Sequence, residues 1–159
     1  MLVLLSNLNL VTRIEIPVSE AVQNTLLQGS WIKWDGTKSD NNNEGNVQVW
    51  TEANRSAEKA LDATFSNIAT VNTPRFSPDA GDTTQLTVIY GKYRALTNLC
   101  ASASGVSQGQ FLTISAAGVL AGMTPASGTS QDAVAVCTKA AHKYTHIGQE
   151  YDVIEYVTL

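Results

Sequence analysis

Apolar side chains recur at every second position in several short segments of this chain, and this alternation constrains its fold most. Ile14, Ile16 and Val18, for example, alternate with Arg, Glu and Pro. A period of two places successive side chains on opposite faces of a β-strand. Segments rich in alternating, β-branched or aromatic residues, separated by glycine-containing turns, cover residues 13–18, 47–50, 86–90, 110–114, 133–137 and 151–157. The pattern predicts a mainly β fold, either a small β-barrel or a β-sandwich.

Two segments are predicted to differ from this alternation. Between Ser56 and Ile68 the apolar residues recur at steps of three and four, which predicts one short helix. Residues 1–12 begin with an apolar run that is followed at once by Asn and Thr, which predicts an extended N-terminal arm or edge strand. Such a strand must pair with another one to be stable. Because 159 residues fit one domain, we expect residues 13–159 to form a single β-rich domain.

Charged side chains make up only 15% of the chain, below the usual share of about 25%. The 10 Lys and Arg against 14 Asp and Glu give a net charge of −4, so the basic surface expected of a nucleic-acid-binding protein is missing. Residues 95–131 carry no charge at all, and the cores of protein interfaces are depleted of charge. This composition favours a protein that is docked on other protein.

We expect neither a signal peptide nor a membrane span. No Lys or Arg precedes the apolar start and no small-x-small cleavage site follows it. No window approaches the roughly 18 consecutive apolar residues that a membrane span needs. Cys100 and Cys137 could form one disulfide, but a chain of this size does not need it, so we expect reduced thiols.

One motif has the pattern of a hydrolase nucleophile. Residues 105–109 read Gly-Val-Ser-Gln-Gly, and Asp132 and then His142 or His146 follow in the order used by α/β-hydrolases. That chemistry needs Ser107 on a sharp turn from a strand into a helix. The residues before the motif make a poor buried strand and those after it are strand-like. We therefore predict a glycine-rich β-turn and no enzymatic activity.

A second group of residues could in principle bind a metal. His142 and His146, with Cys100 and Cys137, make a nominal Cys₂His₂ set. On an extended segment the two histidines would lie about 13 Å apart, too far to share one ion without a turn. Each cysteine is a single thiol rather than half of a paired motif. We predict no metal and no cofactor, with the histidines in a loop between two strands.

The three tryptophans allow a further interpretation. Trp31, Trp34 and Trp50, together with Phe65, could form a platform on which sugars or bases stack. Aromatic residues near strands more often serve as core or interface anchors. A carbohydrate-binding β-module therefore stays an alternative function.

Three blocks of the sequence resemble small virion proteins of tailed bacteriophages. Residues 27–36 are similar to the opening of these proteins, in which a glycine precedes an alternating segment. Residues 106–137 resemble their β-rich body, with a strand entered through a glycine turn and a glycine-marked hairpin before a small-residue strand. Residues 146–157 are similar to the C-termini of head decoration (cement, or capsid-stabilising) proteins. The resemblance runs from Ile14 onward and is weakest between Trp50 and Phe76.

This resemblance implies a non-enzymatic structural protein that binds the outer surface of a tailed-phage capsid and stabilises it. The implied partners are the major capsid protein and further copies of the chain, as a dimer or trimer, without direct contact to nucleic acid or membrane. The implied location is the capsid exterior of the virion, after synthesis in the host cytoplasm. A tail or baseplate subunit is the other alternative, because such subunits have similar β-rich sequence patterns.

The contact residues are predicted from the apolar arm and the tryptophans. An apolar arm can add a strand to the sheet edge of a neighbouring protein, although it can equally form the first strand of its own chain. Many copies on one shell would then multiply modest contacts through avidity. The residues predicted to contact the capsid or another copy are Leu2, Leu4, Leu5, Leu8, Leu10, Trp31, Trp34 and Trp50.

Overall fold

The computed structural model describes residues 1–5, 12–17, 27–38, 45–49, 68–71, 85–115, 118–123 and 133–159. Within these residues the strands are β1 (Leu2–Leu4), β2 (Thr12–Pro17), β3 (Trp31–Lys38), β4 (Gly45–Val49), β5 (Ile68–Val71), β6 (Gln85–Tyr90), β7 (Arg94–Thr97), β8 (Cys100–Ala101), β9 (Phe111–Ile114), β10 (Leu120–Gly122), β11 (Ala135–His146) and β12 (Gln149–Thr158). Among the described residues one 3-10 turn, Ala103–Gly105, follows β8. The protein is mainly β, as the alternation predicts.

The strands form two sheets. The seven-stranded sheet has the order β1-β7-β12-β11-β9-β10-β8, and the five-stranded sheet has the order β2-β6-β5-β3-β4. Every pair between the described strands is antiparallel except β8 with β10, which run parallel. In the described part of the chain neither sheet is closed, so the barrel alternative does not apply. The helix predicted for residues 56–68 lies outside the described residues, apart from Ile68, which begins β5.

One apolar core joins the two sheets. Trp31 and Ile89 of the five-stranded sheet pack into the same cluster as Tyr156 of the seven-stranded one. The rings of Trp31 and Tyr156 lie 6.4 Å apart, and Tyr93 meets Tyr156 edge-on at 6.1 Å. Such aromatic pairs contribute about 0.5–1.5 kcal/mol each beyond the area they bury. The remaining buried members of the cluster are Leu2, Ala95, Val106, Leu112, Ile114, Leu120, Ala135, Cys137 and Ile154.

The uncharged segment 95–131 supplies a large part of this core. Leu112, Ile114 and Leu120 are fully buried. An ionised side chain at such a position would lose its hydration without gaining a partner, which costs several kcal/mol. At these positions the absence of charged side chains is therefore explained by burial in the core of the chain itself.

The first strand pairs within its own chain. Leu2, Val3 and Leu4 lie opposite Thr97, Leu96 and Ala95 of β7. The main chain before β1 is also held, because the Thr97 hydroxyl donates a hydrogen bond to the Met1 carbonyl at 2.9 Å. Of the two interpretations of the N-terminal segment, the first-strand interpretation therefore applies to residues 2–4. These residues form an edge strand of the seven-stranded sheet.

Candidate interaction surface

The predicted contact residues of the arm lie in different surroundings. Leu2 is buried in the core, Leu4 is half-buried and packs against it, and Leu5 is 41% exposed. Leu8 and Leu10 lie outside the described residues. Of the arm leucines that the structure describes, Leu5 is therefore the one that offers an exposed side chain to a partner.

The tryptophans also lie in different surroundings. Trp31 is only 5% exposed, and its ring packs against Tyr156. Trp34 lies in β3 opposite Val47 of β4, and Trp50 lies outside the described residues. Because the Trp31 indole is enclosed, it does not offer a face to a sugar or to a capsid surface in this conformation.

Ser107 lies in a β-turn. Its carbonyl accepts a hydrogen bond from the Gln110 amide at 3.1 Å, and the Gln110 side-chain oxygen accepts one from the Ser107 amide at 2.9 Å. The turn leads directly into β9, whereas a hydrolase nucleophile needs a helix at this point. Gly109 has a φ of +83°, which explains the glycine at the end of the motif. The motif is thus explained by turn geometry.

The histidines and cysteines take separate places. His142 and His146 lie within β11 rather than in the predicted loop. Among the described residues no three His, Cys, Asp or Glu side chains come together in a way that could hold a metal ion. Cys100 and Cys137 are free thiols, as expected, and burial together with the neighbouring Cys137 raises the pKa of Cys100 to about 11.

A buried carboxylate lies at the centre of the seven-stranded sheet. Glu155 of β12 accepts a hydrogen bond from the Arg94 guanidinium at 2.6 Å, and Lys139 Nζ lies 3.5 Å from its other oxygen. His142 Nε2 lies 3.6 Å from the same oxygen. Burial by itself raises the pKa of Glu155, but Arg94 and Lys139 outweigh it, and the pKa lies below its usual value. The carboxylate is therefore held ionised between three strands.

Two β-bulges in β11 create this cluster. Cys137 lies opposite Tyr156, but Lys139 lies opposite Glu155, so one extra residue separates them. A second extra residue follows before His142, which lies opposite Val153. In an antiparallel pair, opposite residues share a face of the sheet. The bulges thus bring Lys139 and His142 onto the same face of the sheet as Glu155.

The face that carries Glu155 also has exposed apolar surface nearer to the chain's C-terminal end. Phe111, Val136 and Val157 lie side by side across β9, β11 and β12. Phe111 is 43% exposed and the two valines are half-buried, while Leu159, just after β12, is 55% exposed. We call Phe111, Val136, Val157 and Leu159 the outer apolar patch.

The other end of the β11–β12 hairpin projects from the sheet. β9 pairs with β11 only at Ala135 and Val136, and β7 pairs with β12 only over residues 154–157. Cys137 still bonds Gly109 and Gln110 through its main chain. Beyond Cys137 and Ile154 the two strands pair only with each other in the described part of the chain, and no residue from 143 to 152 is buried. At about 3.4 Å per residue this ribbon extends roughly 14 Å between Val153 and Gln149. We call residues 143–152 the hairpin ribbon.

The hairpin ribbon ends in an unusual turn. His146 lies opposite Gln149, so Ile147 and Gly148 form a two-residue loop with φ values of +48° and +75°. Positive φ at both positions is typical of a type I′ turn, in which Asn or Gly is strongly preferred at the first position. A β-branched residue there is strained by about 1–3 kcal/mol. The Ile147 side chain is 89% exposed and therefore gains almost nothing from burial in the isolated chain.

The two faces of the hairpin ribbon differ in chemistry. On one face Tyr144 lies opposite Tyr151, the Tyr144 ring stacks on His146 at 6.4 Å, and the Tyr151 hydroxyl donates to Gln149 Oε1 at 2.7 Å. On the other face Lys143 forms ion pairs with Asp152 at 3.0 Å and Glu150 at 3.5 Å. The first face therefore presents aromatic and amide groups, and the second presents paired charges.

The sequence prediction missed this ribbon although the sequence contains a signal for it. The two histidines were predicted in a loop between two strands, whereas residues 142–146 continue β11 up to the turn. The alternation of Lys143, Tyr144 and Thr145 before the turn mirrors Glu150, Tyr151 and Asp152 after it. That symmetry about a two-residue turn is what a hairpin requires.

No protein-family model matches the chain, and no curated protein shows significant similarity to it. Among the described residues no helix is long and apolar enough to cross a membrane.

Proposed function

We propose that this protein is a non-enzymatic virion component that binds the outer surface of a tailed-phage capsid and stabilises it. The observation that carries the proposal is the hairpin ribbon, which contributes no buried residue to the chain's own core and ends in an exposed apolar side chain. An element of this kind is suited to contact with another protein. The resemblance of residues 146–157 to the C-termini of decoration proteins, and of residues 106–137 to the β-rich body of small tailed-phage virion proteins, supports the same role.

The composition supports a role on a protein shell. The low share of charged residues reduces the cost of removing polar groups from water when the protein docks. The described exposed surface also includes Leu5 and the outer apolar patch, which could contribute to contacts with the shell or with other copies. Because an icosahedral shell repeats each site many times, modest contacts suffice when copies also associate with one another.

The protein would stabilise the capsid through the contacts that it makes there and not by catalysing a reaction. A rigid β domain that touches two neighbouring capsid subunits adds contact area that is lost only if the subunits separate. Anything that binds only the assembled state stabilises it by mass action. The proposed partners are therefore the major capsid protein and further copies of this chain.

Co-sedimentation with heads tests the proposal. Purified protein is titrated onto mature heads stripped of decoration, taken from the phage whose genome encodes it, and the bound copies per head are counted. The protein alone and the protein with purified tails serve as controls. We expect saturation at a copy number commensurate with icosahedral symmetry and a higher temperature of head disruption. Binding to tails only, or rings and tubes formed by the protein alone, would contradict the proposal and favour a tail or baseplate subunit.

A further inference from the structure

Nothing in the described part of the chain explains the strained turn at Ile147. A type I′ turn prefers Asn followed by Gly, so this turn would be more stable with Asn in place of Ile147. Gly148 already occupies the second position. Backbone strain that is not relieved locally is found mostly at sites of recognition or catalysis. The side chain that imposes this strain is also the most exposed of the large hydrophobic side chains described, at 89%.

We propose that the hairpin ribbon is the capsid-binding element and that Ile147 inserts into an apolar pocket on the outer surface of the major capsid protein. This inference rests on the function proposed above and names the element and the partner surface of that contact. Insertion would bury the isoleucine side chain and would offset the strain of its backbone. The surface required is a pocket that accepts one branched aliphatic side chain.

Tyr144 and Tyr151 would pack around the mouth of that pocket. Tyrosine is enriched at the centres of protein interfaces because it combines a large apolar ring with a hydrogen-bonding hydroxyl. Both rings are already held in the free protein, Tyr144 by His146 and Tyr151 by Gln149. Side chains that are ordered before binding lose little conformational entropy on docking.

The charge of the hairpin ribbon indicates the surroundings of the pocket. Lys143 carries one positive charge against two negative ones from Glu150 and Asp152, which leaves one negative charge in excess among these three side chains. A complementary surface therefore has a basic rim around an apolar centre. The same excess of carboxylate disfavours insertion into an anionic lipid surface, so a protein pocket is the partner that the charges favour.

The substitution Ile147→Asn tests the inference because it separates stability from recognition. It replaces a strained residue by the one that this turn prefers, so we expect the melting temperature to rise by about 2–4 °C. It also removes the inserting side chain, so we expect head affinity to fall at least about tenfold. Leu27→Asn is the matched control: it removes another exposed leucine-sized side chain, outside the hairpin ribbon, and should leave head affinity unchanged.

The possible outcomes separate the two proposals. If the wild-type protein does not bind heads, the proposed function fails and this inference fails with it. If the wild type binds and Ile147→Asn binds equally well, the proposed function stands and the hairpin ribbon is not the contact. If the substitution instead lowers the molecular mass of the free protein, measured by sedimentation equilibrium, the pocket belongs to a second copy and the inference is overturned.

Discussion

The two halves of the β11–β12 hairpin differ in almost every physical respect although they share the same two strands. The base is paired on both sides by β7 and β9 and places Tyr156 in the core and Glu155 among cations. The projecting half contains no buried residue and carries its exposed isoleucine on a strained turn. The comparison teaches that one hairpin can anchor the fold at its base while its tip contributes no buried residue to the core.

The largest effect is expected from truncating a tyrosine at the base. Tyr156→Ala would leave a cavity between Trp31 and Tyr93, because both rings pack directly on it. Large-to-small changes of buried aromatic residues cost about 3–5 kcal/mol, so the free energy of unfolding should fall by that amount. Urea denaturation followed by circular dichroism measures the change.

The matched control for this substitution lies in the projecting half. Tyr151→Ala removes the same side chain from a half-buried position in the hairpin ribbon, and it should cost less than about 1 kcal/mol. Equal losses for the two variants would show that the ribbon belongs to the same cooperative core as the base.

An intermediate effect is expected from the buried carboxylate. Glu155→Ala removes the partner that Arg94 and Lys139 share and leaves their charges close together beside a partly buried site. We expect a loss of about 1–3 kcal/mol in the free energy of unfolding. Glu150→Ala, which removes an exposed carboxylate of the hairpin ribbon, is the control and should leave the urea midpoint unchanged. A wild-type midpoint for the Glu155 variant would mean that Arg94 and Lys139 are adequately hydrated without the carboxylate.

A smaller effect is expected from acid. The pKa of Glu155 is lower in the folded protein than in the unfolded chain, so the unfolded state binds this proton more readily as the pH falls. The stabilisation from Glu155 is therefore fully present above the ordinary carboxyl pKa of about 4.5 and is lost as the pH drops through the lower folded value. Melting temperatures of the wild type and Glu155→Gln, measured from pH 7 to pH 3, should converge toward the acidic end. A constant difference between them would contradict this coupling.

Much of the fold could be predicted from the sequence because strands with one buried face leave a period of two. Residues 86–90, 110–114 and 151–157 all lie in strands at or near the predicted positions. The pairing of β1 with β7 could not be derived, since an apolar edge strand has no sequence signal that distinguishes its own chain from a neighbour. The alternation also does not determine whether a sheet closes, which depends on strand order and stagger.

The candidate site was harder to predict. Trp31 was expected at a contact surface, but its size and the space beside Tyr156 place it in the core. The cluster around Glu155 depends on two bulges in β11, and an alternating pattern cannot show where an extra residue enters a strand. The importance of Ile147 could not be predicted from the sequence, because it depends on a positive φ that isoleucine rarely adopts.

A cryo-electron microscopy reconstruction of stripped heads saturated with the protein tests the proposed role most directly. We predict added density on the outer surface of the shell, at symmetry-related positions, with the hairpin ribbon directed at a capsid subunit and Ile147 enclosed by it. A reconstruction without added density on the shell would contradict the capsid-binding role. Added density in which the hairpin ribbon points into solvent would keep that role and contradict the assignment of the contact to Ile147.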